Sequence, residues 1–217
     1  MTSQKIFKKP IKPAVLPSII AKGAYKNQTI GLMGGSFNPA HEGHKMITDL
    51  ALKQLRLNAV WWLVSTQNPL KSPIGLEALD KRINDACLLA NHPKVTVKPI
   101  EFQLNTRYTV DTIRLLKRRF PQTRFVWIMG ADNLTQFPEW KNWQQIAAMI
   151  GIAVFDRPGY SLRALSGKMA QRYSRFRISE RRRASVGKLK PPVWVFLHAL
   201  LNPISSSNIR AKKIKPI

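Results

Sequence analysis

His41 and His44 stand three residues apart in GGSFNPAHEGH (34–44), on a turn with two adjacent glycines and a proline just behind an apolar run. Imidazoles on such a turn are held beside the main chain, where both reach a ligand seated on the turn. Gly34 and Gly35 let that ligand approach the backbone closely, and Pro39 stiffens the loop. Between a parallel strand and the helix that follows it, such a turn favours anions, so the pair points to phosphate contacts. A plainer assignment makes His44 a hydrogen-bonded helix-face side chain and His41 a solvent-exposed turn residue. For either histidine alone it is the commoner outcome. The turn matches neither GxGxxG nor GxxxxGK[ST]. No protein metal site is expected, because His92 and His198 lie far away with no carboxylate at matching spacing.

Such a turn needs a strand to end on it and a helix to leave it. Residues 29–34 read as the strand. From about 43 to 55, Met46, Ile47, Leu50, Ala51 and Leu55 recur at three- and four-residue intervals, which predicts an amphipathic helix. The alternation continues: 59–65, 94–100, 124–130, 151–155 and 193–201 are β-like, and 76–90, 109–120 and 140–149 are helical. This pattern predicts an α/β fold, a Rossmann-like doubly wound parallel sheet with helices on both faces. Residues 1–28 read as a basic, partly disordered arm and 29–217 as one domain. Residues 161–192, dense in Arg and Lys with little apolar periodicity, read as a basic insertion in it.

A chain of 217 residues, 44% hydrophobic, suits one sizeable core with appendages. Its formal charge of +25 implies attraction to polyanions: nucleotides, nucleic acid or an anionic membrane surface. Charge does not choose among them. Cys87 is the only cysteine, which rules out an intramolecular disulfide and makes a reducing cytoplasm the simplest compartment. A buried structural thiol is its expected role. The longest apolar runs, 146–155 and 193–201, fall short of the ~20 residues of a membrane span, so none is expected. Pro10, Pro13 and Pro17 interrupt the arm and argue against a secretory signal or a helical transit peptide.

GGSFNPAHEGH resembles the GGxFxPxHxGH signature of the HxGH nucleotidyltransferases, and ISSSNIR (204–210) resembles their late ISSTxIR signature. Both occur in order, about 160 residues apart. NPLK (68–71), YTVDTI (108–113), MGADN (129–133) and FPEWKNW (137–143) narrow the resemblance to the bacterial nicotinate-nucleotide adenylyltransferases. It covers residues 30–210 apart from most of the basic insertion. Asn38 stands where these enzymes often have Asp, and Ser207 where Thr is usual. The second change keeps a hydroxyl; the first removes a charge.

The resemblance implies adenylyl transfer from ATP to nicotinate mononucleotide, with Mg2+ carried mainly on the ATP phosphates. It assigns ATP to Gly34, Gly35, Ser36, Phe37, His41, His44, Gly130, Asp132, Ser205, Ser206 and Arg210, with Asp132 on the ribose hydroxyls. The mononucleotide falls to Lys71 at its phosphate, Trp140 stacked on the pyridine ring, and the turn at Tyr108 and Thr109 at the carboxylate. His44, His41, Lys71 and Arg210 are the catalytic candidates. Read without the resemblance, Asp132 is a helix cap, Trp140 a core aromatic, Lys71 a solvated loop cation, and Ser205, Ser206 and Arg210 a cap and a surface charge. Trp143 reads as core in either case. Runners-up are an adenylyltransferase for nicotinamide mononucleotide or phosphopantetheine and, in a different class, a basic nucleic-acid-binding protein. The oligomeric state stays open.

Overall fold

A computed structural model of the chain describes residues 25–66, 74–198, 206, 209 and 210. Most of the arm, residues 1–24, therefore lies outside the described residues, as do Lys71, Ser205 and Ser207. In chain order the elements are β1 (Thr29–Gly35), α1 (Glu42–Gln54), β2 (Ala59–Val64), α2 (Leu79–Leu89), β3 (Val95–Lys98), α3 (Ile100–Gln103) and α4 (Thr109–Arg119). There follow β4 (Arg124–Gly130), α5 (Ala131–Gln136), α6 (Trp143–Met149), β5 (Gly151–Phe155), α7 (Ser161–Leu165), α8 (Lys168–Arg172) and β6 (Trp194–Leu197).

The strands form a single six-stranded parallel sheet in the order β3-β2-β1-β4-β5-β6. Their near-continuous apolar runs are what burial on both faces requires. Alternate residues along β2 show it: Trp61 and Leu63 join one core cluster, Val60, Trp62 and Val64 the other. The first face is covered by α4 through Val110, Ile113 and Leu116, and by α6 through Trp143, Ile146 and Ala147. The second is covered by Ala51 of α1 and Ala86 of α2. The chain leaves β1 toward β2 and β3, then returns to β4 beside β1. This reversal opens a crevice at the carboxyl ends of the two central strands, where ligands of such sheets bind.

Four local differences from the sequence reading have physical causes. α6 starts at Trp143, not near 140, because Asn142 adopts a left-handed backbone (φ 52°) after a 3-10 turn at Phe137–Glu139. Trp140 is thereby set on a loop. Cys87 is exposed, not buried: the buried stripe of α2 runs through Arg82 and Ala86, and Cys87 points about 100° away from Ala86. The basic stretch 161–192 contains α7, α8 and two 3-10 turns, and it buries Ala164, Met169, Ala170 and Val186, so it forms the β5-to-β6 crossover. Tyr25, inside the expected arm, packs edge-on against Trp61 (centroids 5.1 Å apart) and holds Thr123 through its carbonyl (2.8 Å).

Candidate active site

β1 delivers the glycine turn to the crevice. Its approach to β4 explains one glycine: a Cβ on Gly34 would lie 2.6 Å from the Trp127 ring. Phe37 then turns the chain with a left-handed backbone (φ 47°) and buries its ring against Trp62, centroids 5.0 Å apart and nearly parallel. The sequence reading gave Phe37 to ATP; in the fold its side chain walls the second core and touches the His44 ring at 4.7 Å. Asn38, 4% exposed, uses both functions of its amide: Nδ2 donates to the Gly75 carbonyl (2.8 Å) and Oδ1 accepts from the Glu77 N–H (3.2 Å). A carboxylate could not make the first of these bonds.

His41 caps the start of α1 and His44 sits in its first turn, with the two ring centroids 3.8 Å apart. The His41 backbone N–H donates to His44 Nδ1 (3.2 Å), so in the neutral ring the proton resides on Nε2. His44 is fixed from behind: Trp62 Nε1 donates to Thr48 Oγ1 (2.8 Å), which donates to the His44 carbonyl (2.8 Å). Nδ1 of His41 is buried without a hydrogen-bond partner. Burial first, then the Arg157 charge, lowers the His41 pKa to about 4, with Asp132 opposing. Burial and the neighbouring His41 lower His44 to about 3. At neutral pH both rings are therefore uncharged.

Asp132 follows β4 in the first turn of α5. A Cβ on Gly130, the residue that begins this turn, would come within 2.5 Å of Asp132 Oδ1. Gly130, not Asp132, is the N-cap, and the Asp132 carboxylate is paired with Arg157 from the loop after β5. Arg157 was not anticipated from sequence; its only signal is that RPG follows a strand. The late signature folds back onto the histidine turn: Ser206 Oγ donates to the Pro39 carbonyl (2.9 Å) and Arg210 Nη1 donates to the Asn38 carbonyl. Thus His41, His44, Asp132, Arg157, Ser206 and Arg210 surround the mouth of one crevice.

Tyr108, Thr109 and Trp140 form a second group of candidates, of which Trp140 meets Trp127. The Trp140 ring meets Trp127 edge-on (5.9 Å) and Phe137 (5.2 Å), and it is half-buried. Lys141 Nζ stands 4.1 Å over the Tyr108 ring, and Tyr108 caps α4 so that Thr109 is its first residue. Trp127 is the shared wall, touching both the Gly34 turn and Trp140. Trp143 is 4% exposed and belongs to the core.

Arg82 was also missed. It is 1% exposed, and its guanidinium donates to four carbonyls: Glu77 (2.9 Å), Ser36 (2.7 Å), Ser65 (2.8 Å) and Thr66 (3.1 Å). One side chain thereby ties the β1 turn, the β2 exit and the lead into α2. Its signal in the sequence is an arginine at the i−4 position of a buried helical stripe. Close by, burial raises the Glu101 pKa to about 7, against the Thr66 N–H and Arg82, which lower it.

These shifts set an acid dependence. His41 and His44 have native values of about 4 and about 3 below an ordinary 6.5, so the unfolded chain takes protons first. Their contribution is complete above pH 6.5 and is lost as pH falls toward those values. Glu101, raised from 4.5 to about 7, has the opposite sign: its contribution is complete below 4.5 and lost as pH rises through 7. Between pH 6.5 and 4.5 two histidines oppose one carboxyl. Urea unfolding is therefore expected to show a net loss on the order of 1–2 kcal/mol on acidification across that window. Glu101→Gln should steepen the loss and His41→Asn should reduce it; stability independent of pH there would contradict the buried neutral pair.

The cytidylyltransferase-like family matches residues 32–212. A probable nicotinate-nucleotide adenylyltransferase of Bradyrhizobium sp. (strain ORS 278) is 48% identical over 181 residues, spanning 83% of this chain and 94% of the relative. The protein of the same name from Brucella suis biovar 1 (strain 1330) is 40% identical over 187 residues, 86% and 96% of the two chains. Among solved structures, Plasmodium falciparum nicotinic acid mononucleotide adenylyltransferase complexed with NaAD superposes with a TM-score of 0.66 at 18% identity, over 85% of this chain and 83% of that one. That likeness is one of fold.

Proposed function

The chain belongs to the cytidylyltransferase-like family, and from that membership we propose that it is a nicotinate-nucleotide adenylyltransferase. It transfers the adenylyl group of ATP to nicotinate mononucleotide, giving nicotinate adenine dinucleotide and pyrophosphate for NAD biosynthesis. Relatives at 40–48% identity over most of the chain carry that name. The observation that carries the reading in this molecule is the His41–His44 pair, held uncharged at the sheet's switch point with the Nε2–H tautomer of His44 set by a backbone donor.

In the reaction an oxygen of the mononucleotide 5′-phosphate bonds to the α-phosphorus, and the bond to the α,β-bridging oxygen breaks. Its electron pair leaves with pyrophosphate. The attacking phosphate is already anionic at neutral pH, so no base has to remove a proton. Alignment and stabilisation of charge on the phosphoryl oxygens carry the rate. His44 donates from Nε2 to the α-phosphate, and a neutral donor does so without bringing a buried cation of its own. His41, Lys71 and Arg210 add donors along the phosphates. Gly34, Gly35 and Ser36 offer backbone to the ligand; Ser205 and Ser206 hold phosphates; Gly130 and Asp132 face the ribose hydroxyls, with Arg157 orienting the carboxylate.

Mg2+ would enter with the substrate and would supply charge neutralisation on the ATP phosphates, since it commonly keeps water and phosphate as most of its ligands.

For the mononucleotide we assign the pyridine ring to Trp140 and its carboxylate to the amides at the start of α4, at Tyr108 and Thr109. Hydrogen bonds to a charged acceptor are the stronger kind, so the acid should be preferred to the neutral amide. Stacking of this type is worth about 1–3 kcal/mol, so Trp140→Ala is expected to raise KM for nicotinate mononucleotide roughly 5- to 150-fold, with little change for ATP. Trp140→Phe should recover most of the loss. The decisive assay follows pyrophosphate release from purified protein with ATP, Mg2+ and each mononucleotide. Equal use of acid and amide would remove the carboxylate assignment, and no turnover with either would overturn the function.

A further inference from the structure

Adenylyl transfer leaves the basic crossover before β6 unused. After Tyr173 the chain wraps the open edge of the sheet: Arg177 bridges to Trp194 in parallel, and the Ile178 N–H donates to the Trp194 carbonyl (2.9 Å). It then passes under the starts of β1 and β4, where a Cβ on Gly187 would come within 2.5 Å of the Thr29 side chain. The catalytic turns lie at the opposite, carboxyl ends of those strands. Arg175, Arg177, Arg181, Arg182, Lys188 and Lys190 on this ribbon are all exposed. From Arg157 to the last residue Glu180 is the only acidic side chain, and it is engaged by His198 (3.1 Å).

Crowding like charges costs stability through self-repulsion, which an anionic partner would relieve. Two of the arginines are braced on rings. Arg175 lies 5.0 Å from the Phe176 centroid, and Arg177 lies 5.4 Å from Trp194 and 5.7 Å from Phe196. A guanidinium held this way loses little freedom on meeting a phosphate, and its planar fork suits two phosphate oxygens at once. The large exposed hydrophobic residues among the described ones are Ile74, Leu88, Phe102, Tyr160 and Leu162, none on the ribbon. A surface that holds a membrane by more than charge inserts apolar side chains, and this ribbon offers none. We propose that the ribbon from Arg175 to Lys190 is a second binding surface, separate from the catalytic crevice, for the phosphate backbone of nucleic acid.

The test is fluorescence anisotropy of a labelled duplex DNA oligonucleotide with the full-length protein. With some four to six phosphates neutralised, affinity should fall on the order of 10²–10³-fold between 50 and 200 mM salt. Combining Arg175→Gln, Arg181→Gln, Arg182→Gln and Lys188→Gln should weaken binding at least about tenfold and reduce the salt slope by about 3–4. Adenylyl transfer should be unchanged. Arg175→Lys, Arg181→Lys and Arg182→Lys together should keep the slope. If the fourfold glutamine variant does not fold, Arg181→Gln and Lys188→Gln singly should each lower the slope by about 0.9. Wild-type binding by the glutamine variants, displacement of the duplex by saturating ATP, or equally tight binding to phosphatidylglycerol vesicles at matched phosphate would each overturn the proposal.

Discussion

His44→Ala is expected to lower kcat by about 10²–10³, the usual cost of removing one donor aimed at charge that develops in the transition state. KM for nicotinate mononucleotide should change little, because the proposed contact is with the α-phosphate of ATP. The expectation rests on how the ring is held. Its Nδ1 is occupied by the His41 N–H, its carbonyl is braced by Thr48 and Trp62, and Phe37 packs against one side. The remaining nitrogen has a defined proton and a defined direction. Alanine also removes packing, so the comparison requires Tm for the variant beside steady-state kinetics. His44→Gln, which keeps a donor, should fall between the two. A folded His44→Ala enzyme with near wild-type kcat would end the assignment of the donor.

Arg82→Ala should have the largest effect on stability. Four carbonyls lose their donor together, those of Ser36, Ser65, Thr66 and Glu77, and three of them belong to turns beside the crevice. Leaving a buried acceptor without its donor costs about 1–3 kcal/mol, so losing several together should cost on the order of 3–5 kcal/mol, which for a domain of this size lowers Tm by roughly 6–20 °C. Because Ser36 lies on the glycine turn proposed to hold the ATP phosphates, kcat should fall as well. Arg82→Lys should restore little of either, since a single ammonium cannot reach carbonyls spread around a planar fork. Urea unfolding with a wild-type midpoint would show that the carbonyls find other partners and that Arg82 does not organise the turn.

Much of this was legible in the residues. The β-like runs and helical periodicities marked out all six strands and the sheet's parallel sense, because a strand buried on both faces has to be apolar nearly throughout. GGSFNPAHEGH stood out by its glycines and paired imidazoles, whereas ISSSNIR, read without the family resemblance, was a helix cap and a surface charge; the fold brings Ser206 and Arg210 of the second onto the turn of the first. What spacing does not contain is which distant segments meet. Asp132 could be read as a cap until Arg157, 25 residues later, was found against it. Asn38 was a missing charge until its amide was seen holding Gly75 and Glu77.

The same holds for Arg82 and for the crossover. On paper Arg82 is one more cation on a helix of a chain with a charge of +25, and the basic stretch has no apolar period to announce its short helices. Composition and local pattern determined the architecture, the pairing of two imidazoles with adjacent glycines on one turn, and the excess of positive charge. The tertiary structure decided the tautomer of His44, the loss of charge on both histidines, the partner of Asp132 and the path of the basic ribbon along β6 and past the start of β1. Each of these depends on burial and on contacts between residues far apart in sequence, and neither quantity exists until the chain has folded.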